Sequence, residues 1–249
     1  MIFRSIQTAL LAGLMAVTVT AFAGAPVNKA TEDKLRAALE QPGTGLQVGS
    51  VKTSEIPGMY EVQFTSGPIV YATPDGKYFI VGDMYQMGPT GFVNLAEQRR
   101  DGDRARQLAA LSTDDMIVFS PKGETRAYVN VFTDVTCFYC QKLHQEVPAL
   151  NAQGVEVRYM AYPRAGLESD GYLKLASAWC ADNPQDALTK LKNKQPVPAS
   201  ACADNPIAAQ YQLGQQLGVR GTPAIITQDG KMIPGYQSAA DLMVTLGLN

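Results

Sequence analysis

Three things are scarce in this chain: surplus positive charge, histidine, and long apolar runs beyond the N-terminus. Each shortage excludes a class of function. The formal net charge is −2, and the lysines and arginines are scattered among acids, so no basic face is set aside for nucleic acid. Past the N-terminus nothing approaches the ~20 consecutive apolar residues of a membrane-spanning helix. His144 is the only histidine, so a zinc site built on Cys137, Cys140 and His144 lacks a fourth protein ligand. Haem attachment is excluded locally, because Gln141 stands where a Cys-x-x-Cys-His signal requires histidine. No metal and no cofactor is expected, and no internal repeat is visible.

The one apolar run that does exist opens the chain. Arg4 precedes Ala9 to Val19, and Ala21-Phe22-Ala23 follows. A short positive region, a hydrophobic stretch and a small-x-small site read as a secretory signal peptide over residues 1–23, cut after Ala23. Thr18 interrupts the run and Thr20 lies just beyond it, which argues against a membrane anchor. The remainder, from Gly24, is too long for a disulfide-stapled miniprotein and suits one domain of ordinary size plus a smaller one. Export makes persistent disulfides permissible.

The smaller domain is expected over 24–90. Ala30 to Gln41 reads as a helix with Thr31 as a cap and Leu35, Ala38 and Leu39 on one side, ended by Pro42-Gly43. Leu46 to Val51, Met59 to Thr65, Ile69 to Thr73 and Tyr78 to Val81 read as short strands, with turns at Ser66-Gly67 and Pro74-Asp75-Gly76. Tyr60, Tyr71, Tyr78 and Tyr85 are read as sheet-face packing. A helix and a small antiparallel sheet of this size make a marginal core with free edges, which suggests an oligomerisation module. A linker helix is expected within 91–112: Asn94 to Leu111 is rich in Gln, Arg and Asp, reads as mostly solvated, and has Asp101-Gly102-Asp103 as a point of interruption.

From residue 113 to 249 the pattern is α/β. Met116 to Ser120, Ala127 to Phe132 and Val155 to Ala161 read as strands, and Phe138 to Leu150 as a helix between the last two. Helical stretches follow at Gly171 to Ala181, Pro184 to Leu191 and Pro206 to Leu217. Ala224 to Gln228 and Met232-Ile233 read as a hairpin, and Ala239 to Leu246 as a closing helix. Together these suggest an α/β sandwich around a mixed central sheet.

All four cysteines lie in this second half. Cys137-Phe138-Tyr139-Cys140 stands at a strand-to-helix junction, which in an exported protein reads as a dithiol that exchanges disulfides. A cysteine in the first helical turn meets unpaired backbone N–H groups and the positive end of the helix dipole, and both stabilise a thiolate. Thr136 or Asp134 can begin that helix, although a carboxylate at Asp134 close to the sulfur would oppose thiolate formation. Cys137, nearer the solvent-facing helix end, is therefore the expected nucleophile. Cys140, three positions on, is expected to resolve the mixed disulfide. The alternatives are an inert structural disulfide, or a metal site that also uses His144, which otherwise reads as a partly exposed helix residue. Four cysteines permit three pairings, and the spacings favour two functionally different pairs. A Cys180–Cys202 bond would close a loop of ~20 residues, worth roughly 3 kcal/mol. Thr222-Pro223, after Gly221, reads from pattern alone as an ordinary strand start.

The segment Val131-Phe132-Thr133-Asp134-Val135-Thr136-Cys137-Phe138-Tyr139-Cys140, with Lys142-Leu143-His144, resembles the active-site segment of the DsbC/DsbG family of bacterial periplasmic thiol:disulfide isomerases. The likeness continues through Val157-Arg158-Tyr159, Pro163-Arg164, Gly166-Leu167, Ser169-Asp170, Trp179-Cys180, Leu213-Gly214, Leu217-Gly218-Val219, Gly221-Thr222-Pro223-Ala224 and Pro234-Gly235-Tyr236-Gln237, and more loosely through Gly76-Lys77 and Met84-Tyr85. This resemblance implies a V-shaped homodimer. Each subunit would have an α+β N-terminal dimerisation domain, a linker helix and an α/β thioredoxin-like domain with a helical insertion. It further implies a cis peptide at Thr222-Pro223 facing the redox cysteines, and a structural Cys180–Cys202 disulfide. Misoxidised secreted proteins would be the clients, the membrane protein DsbD the reductant, and the apolar cleft between the arms a chaperone surface. The chain departs from the family's commonest active site by Phe138 in place of glycine and by Gln141 in place of a frequent histidine, and neighbours of this kind alter thiolate stability. Thr136, Phe138, Tyr139, Thr222 and Pro223 are thus the expected neighbours of Cys137 and Cys140.

Three functions compete on these expectations. A dimeric isomerase loses scrambled-protein refolding when Cys137 is replaced, while its assembly survives. A monomeric thiol oxidase oxidises reduced clients stoichiometrically. A non-enzymatic holdase suppresses aggregation without either redox cysteine.

Overall fold

A computed structural model describes residues 27–65, 67–89 and 91–248. The expected signal peptide and Ser66 of the expected Ser66-Gly67 turn lie outside the described residues. The chain divides into two compact units, Met1–Asp83 and Met84–Asn249. Among the described residues no helix is long and apolar enough to cross a membrane.

In the first unit, helix α1 (Lys29–Leu39) starts one residue earlier and ends two residues earlier than its apolar pattern suggested, and Asn28 rather than Thr31 is the cap: its side chain accepts from the Thr31 N–H. Strands β1 (Val48–Thr53), β2 (Tyr60–Phe64), β3 (Ile69–Ala72) and β4 (Phe79–Val81) form an antiparallel meander in that order. Leu35 and Leu39 of α1 pack on Val48, Val62, Phe64, Val70 and Ala72. Gly76 is required in the β3–β4 turn. It has φ +68°, and a Cβ there would lie 2.5 Å from the Ala38 Cβ. β4 is the last strand of this sheet, and Phe79, Ile80 and Val81 are all exposed. Tyr71 is buried and Tyr60 half-buried, but Tyr78 and Tyr85 are exposed, so sheet-face packing accounts for only the first two.

The second unit begins with a two-stranded hairpin, β5 (Tyr85–Gly88) and β6 (Gly91–Asn94), which was not anticipated. Gly88-Pro89 and Gly91, at the turn between the two strands, are the local sequence signal for it. Helix α2 (Leu95–Ala109) follows, capped by Asn94, and runs unbroken through Asp101-Gly102-Asp103. One side of it is packed. Buried Arg104 reaches the Glu97 and Asp101 carboxylates and donates from Nε to the Leu217 carbonyl at 3.1 Å. At Gly230, which has φ +86°, a Cβ would lie 1.8 Å from the Asp101 carbonyl oxygen. These contacts seat α2 on the body of the second unit, more firmly than its polar composition suggested.

That body is a five-stranded sheet of order β11-β10-β8-β9-β7. Its strands are β7 (Ile117–Phe119), β8 (Ala127–Thr133), β9 (Val155–Ala161), β10 (Ala224–Thr227) and β11 (Met232–Pro234). Only β8 and β9 run parallel, joined across helix α3 (Phe138–Ala152). Val129, Val131 and Ile225 enter one core, while Phe132, Ala224 and Ile226 enter a second, as the two-residue period of a doubly covered sheet requires. Helices α4 (Asp170–Trp179), α5 (Pro184–Lys192) and α6 (Ile207–Gln216) fill the connection between β9 and β10, and α7 (Ala239–Thr245) closes the chain. Cys140, Leu143, His144, Val147 and Leu150 are the buried residues of α3, spaced as one helical face. The end of β8 and the start of α3 thereby come to a fixed point in the sheet.

Candidate active site

β8 ends at Thr133, and four residues later Cys137 is the N-cap of α3, with φ −85° and ψ 121°. The cap position is one residue earlier than the first turn and places the sulfur closer to the free N–H groups of the helix start. Cys137 has no side-chain cap hydrogen bond and Cys140 sits at the third helical position, both as free thiols. Contrary to the expectation of a solvent-facing nucleophile, Cys137 is only 3% exposed, and Cys140 is wholly buried. Exposed surface at this helix start comes instead from Phe138 and Tyr139, whose rings meet edge to face at 5.4 Å between centroids.

Thr222-Pro223 is a cis peptide, and Cys137 Sγ lies 3.2 Å from the Thr222 carbonyl oxygen, to which it donates when it carries its proton. Thr222 Oγ1 is buried with no hydrogen-bond partner among the described residues. The two thiols are pushed in opposite directions. The Cys140 thiol, hydrogen-bonded to the Cys137 sulfur, is the main reason Cys137 falls to about 5; burial opposes this, and the Cys140 N–H and the Arg164 charge assist. Burial drives Cys140 far above the ordinary thiol range, and its hydrogen bond to Cys137 adds to that. One sulfur is therefore a thiolate at neutral pH and the other is a proton-bearing donor to it.

Asp134 does not oppose this arrangement as its position suggested. Its Oδ1 accepts from the Thr136 N–H and hydroxyl at 2.8 and 2.7 Å, and its Oδ2 accepts from the Arg164 N–H at 2.9 Å and Nε at 3.4 Å. Burial works against its ionisation, but these bonds outweigh burial and hold the carboxyl below its usual range. The carboxylate thus builds the turn and binds Thr136, with its charge answered by Arg164. Gln141 has a local role too: its Nε2 donates to the Val135 carbonyl at 2.9 Å, closing the turn that leads into Cys137.

His144 is buried, not partly exposed. Its Nδ1 shares a 3.1 Å hydrogen bond with the Tyr159 hydroxyl and its Nε2 a 3.0 Å bond with Thr189 Oγ1, so both ring nitrogens are occupied. Burial, reinforced by the Lys192 charge, lowers it to about 4. Among the described residues no group of three or more His, Cys, Asp and Glu side chains is placed to hold a metal. Cys180, the C-cap of α4, is disulfide-bonded to Cys202, and the Cys202 N–H donates to Cys180 Sγ at 2.9 Å. Two charged residues at the site have no role in the sequence reading: Arg164, which enters it only within the Pro163-Arg164 stretch of the family likeness, and Lys192 at the end of α5. Arg164 follows the Tyr162-Pro163 pair beyond β9; a scan for charge near strand ends would have found it, whereas nothing local distinguishes Lys192.

Comparison with known proteins adds an independent finding. Residues 26–97 match the disulfide bond isomerase protein N-terminal domain, and residues 113–247 match a thioredoxin-like domain. The chain is 38% identical over 198 residues to the thiol:disulfide interchange protein DsbC of Escherichia coli K12, covering 80% of each. It is 40% identical to that of Salmonella typhimurium over 202 residues, which are 81% of this chain and 82% of the relative. Among solved structures, a disulfide interchange protein from Neisseria gonorrhoeae aligns with TM-score 0.50 and 32% identity, over 56% of this chain and 98% of that one. A linker-deleted variant of Proteus mirabilis ScsC aligns with TM-score 0.53 at 16% identity, over 61% of this chain and 83% of that one, a likeness of fold.

Proposed function

This chain belongs to the DsbC family of thiol:disulfide interchange proteins, and we propose that it rearranges wrong disulfides in secreted proteins with Cys137 as nucleophile and Cys140 as resolving thiol. The observation that carries the division of labour is the opposite perturbation of the two thiols at one helix start. The Cys137 thiolate attacks a client disulfide. A Cys137–client bond forms, the client S–S bond breaks, and the electron pair leaves on the second client sulfur. A client thiolate that then attacks its own sulfur in this bond regenerates Cys137 and leaves a new pairing, which is isomerisation. If Cys140 attacks Cys137 instead, the client departs as a thiol and the enzyme is left oxidised, which is reduction. The backbone at Thr222, whose carbonyl oxygen is 3.2 Å from Cys137 Sγ, lies where extended client chain can pair by strand addition. Phe138 and Tyr139 offer that client an apolar surface beside the sulfur.

The assembly in this reading is a homodimer. Residues 1–23 are the signal peptide, 24–90 the dimerisation domain and 113–249 the catalytic domain, and the linker helix, α2, lies within 91–112. The site of action is the periplasm, with DsbD as reductant and a chaperone function beside the exchange. An edge strand with Phe79, Ile80 and Val81 all exposed supports the dimer, since such an edge otherwise invites uncontrolled pairing. Ile80→Lys on this edge is expected to yield monomers in analytical ultracentrifugation; an unchanged dimer would exclude the edge as the interface. Cys180–Cys202 has a structural role in this scheme.

The deciding experiment is refolding of a scrambled disulfide protein by wild type, Cys137→Ala and Cys140→Ala. Cys137→Ala should have no activity, while Cys140→Ala should keep isomerisation and accumulate mixed disulfides. Normal refolding by Cys137→Ala sinks the assignment.

A further inference from the structure

Lys192, the last residue of α5, is 2% exposed. Its Nζ donates to Thr133 Oγ1 and, at 3.2 Å, to the Asp134 carbonyl oxygen, and it stands 5.7 Å from the centre of the Tyr159 ring. The Asp134 carbonyl also accepts the Cys137 N–H at 3.2 Å, so one oxygen ties the lysine to the cap of the redox helix. No carboxylate among the described residues pairs with this amine: both Asp134 oxygens are taken by Thr136 and Arg164. A buried ammonium without a carboxylate to pair with is costly even when hydrogen-bonded, and an apolar side chain of similar length would fit the site at lower cost. The lysine therefore needs a reason to be there.

The groups that face it supply one. Cys140, Asp134 and Cys137 favour its charged form, and burial, the largest influence, disfavours it. His144 and Tyr159, packed beside it, are held neutral by burial. Arg164 acts on the Cys137 and Asp134 side. The cation that acts on Cys140 is Lys192. In the free reduced enzyme the Cys137 thiolate already opposes a second negative charge at Cys140. Once Cys137 is bound to a client, that opposition is gone while Lys192 remains.

We propose that Lys192 is a positioning residue for the second half of the exchange: its buried amine supplies the positive charge against which Cys140 becomes a thiolate and attacks the Cys137–client disulfide. In that step the proton leaves Cys140 Sγ, the Cys140–Cys137 bond forms, the Cys137–client bond breaks, and the client sulfur leaves with the electron pair and takes up a proton. No outside oxidant enters. Lys192 thus biases the enzyme from rearranging clients toward reducing them. The inference rests on the assignment of Cys137 and Cys140 above.

The test separates the two steps. Reduced wild type and Lys192→Met are mixed with oxidised glutathione, and formation and resolution of the mixed disulfide are followed between pH 5 and 10. Lys192→Met is expected to form it within about twofold of the wild-type rate. It should resolve it about tenfold more slowly at pH 7, on a profile displaced about one unit upward, which is the same tenfold. Wild-type resolution and an undisplaced profile overturn the inference. Loss of mixed-disulfide formation in wild type itself, or its persistence in Cys137→Ala, overturns the assignment beneath it. Should Lys192→Met not fold, reciprocity supplies the second measurement. If the amine lowers the Cys140 thiol once the opposing charge of Cys137 is gone, Cys140 must raise the amine equally, so in a Cys137→Ala background the NMR titration of Lys192 must move downward when Cys140→Ser is added. An unmoved titration overturns the inference.

Discussion

Between Cys137 and Cys140 lie two exposed aromatic residues; between Cys180 and Cys202 lies the whole of α5. The first pair opens a helix, where free N–H groups and a neighbouring thiol make one sulfur an anion. The second joins a helix end to a loop and is already bonded. Yet the two regions are not independent. α5, enclosed by the bonded pair, sends Thr189 to the His144 ring and Lys192 to the residues just before Cys137. The bonded pair thus constrains a segment that reaches under the reactive pair, and reactivity in one place depends on order in the other.

Alkylation tests the comparison with the largest expected effect. At pH 7 iodoacetamide should modify Cys137 faster than Cys140 by about a thousandfold or more, and should leave Cys180 and Cys202 untouched until reductant is added. The Cys137 rate should be flat above its midpoint of about 5 and fall as pH drops through it, because only the thiolate reacts. Mass spectrometry of the modified peptides reads both results. Comparable labelling of Cys137 and Cys140 would remove the asymmetry.

Next in size is the bonded pair itself. Replacing Cys180 and Cys202 by alanine opens a loop with a sequence separation of 22 and should cost roughly 3 kcal/mol in urea unfolding. The Cys137 alkylation midpoint should stay near its wild-type value, because the groups that set it belong mainly to the helix start. Resolution by Cys140 should slow, because α5 is less well held. Unchanged stability would make the bond dispensable.

His144 links the two regions, and its titration shows the link as a pH dependence. Folded, it takes a proton only near pH 4, whereas its ordinary value is 6.5. Between those values the unfolded chain binds more protons, so stability is complete above pH 6.5 and declines as pH falls toward 4. The decline should be roughly 3 kcal/mol at most. His144→Gln keeps two hydrogen-bonding groups and should flatten this window in urea titrations at pH 4.5 and 7; an undiminished slope assigns the acid sensitivity elsewhere.

Much of this architecture was legible locally. β9 has the bounds its Val/Tyr/Met run suggested, and the start of α3 follows from the break at Asp134 to Thr136 before a helical apolar face. What escaped has a common cause. Tyr78 and Tyr85 carry strong strand propensity, and propensity does not say which side of a sheet is covered. Asn28 and Thr31 are both good caps, and only the chain's path chooses between them. Lys192, at the end of an amphipathic helix, has the pattern of a solvated C-terminal base, and its burial is decided by a strand nearly sixty residues earlier in the chain. His144 is the same case, since its partners come from β9 and α5.

The smallest expected effect concerns Gln141, one of the two departures from the family's commonest active site. Its side chain holds the Val135 carbonyl, and so fixes the turn that delivers Cys137 to the cap position. Gln141→Ala removes one hydrogen bond worth about 1 kcal/mol. It leaves the Cys140 thiol and the Thr222 carbonyl where they are, and those are the groups in contact with Cys137. The alkylation midpoint of Cys137 should therefore rise by less than about one unit, and the stability loss should stay near the value of the single bond. A larger rise would mean that the turn, rather than the neighbouring thiol, sets the thiolate. The difference between the reactive and the bonded pair would then lie in the backbone that leads into the helix.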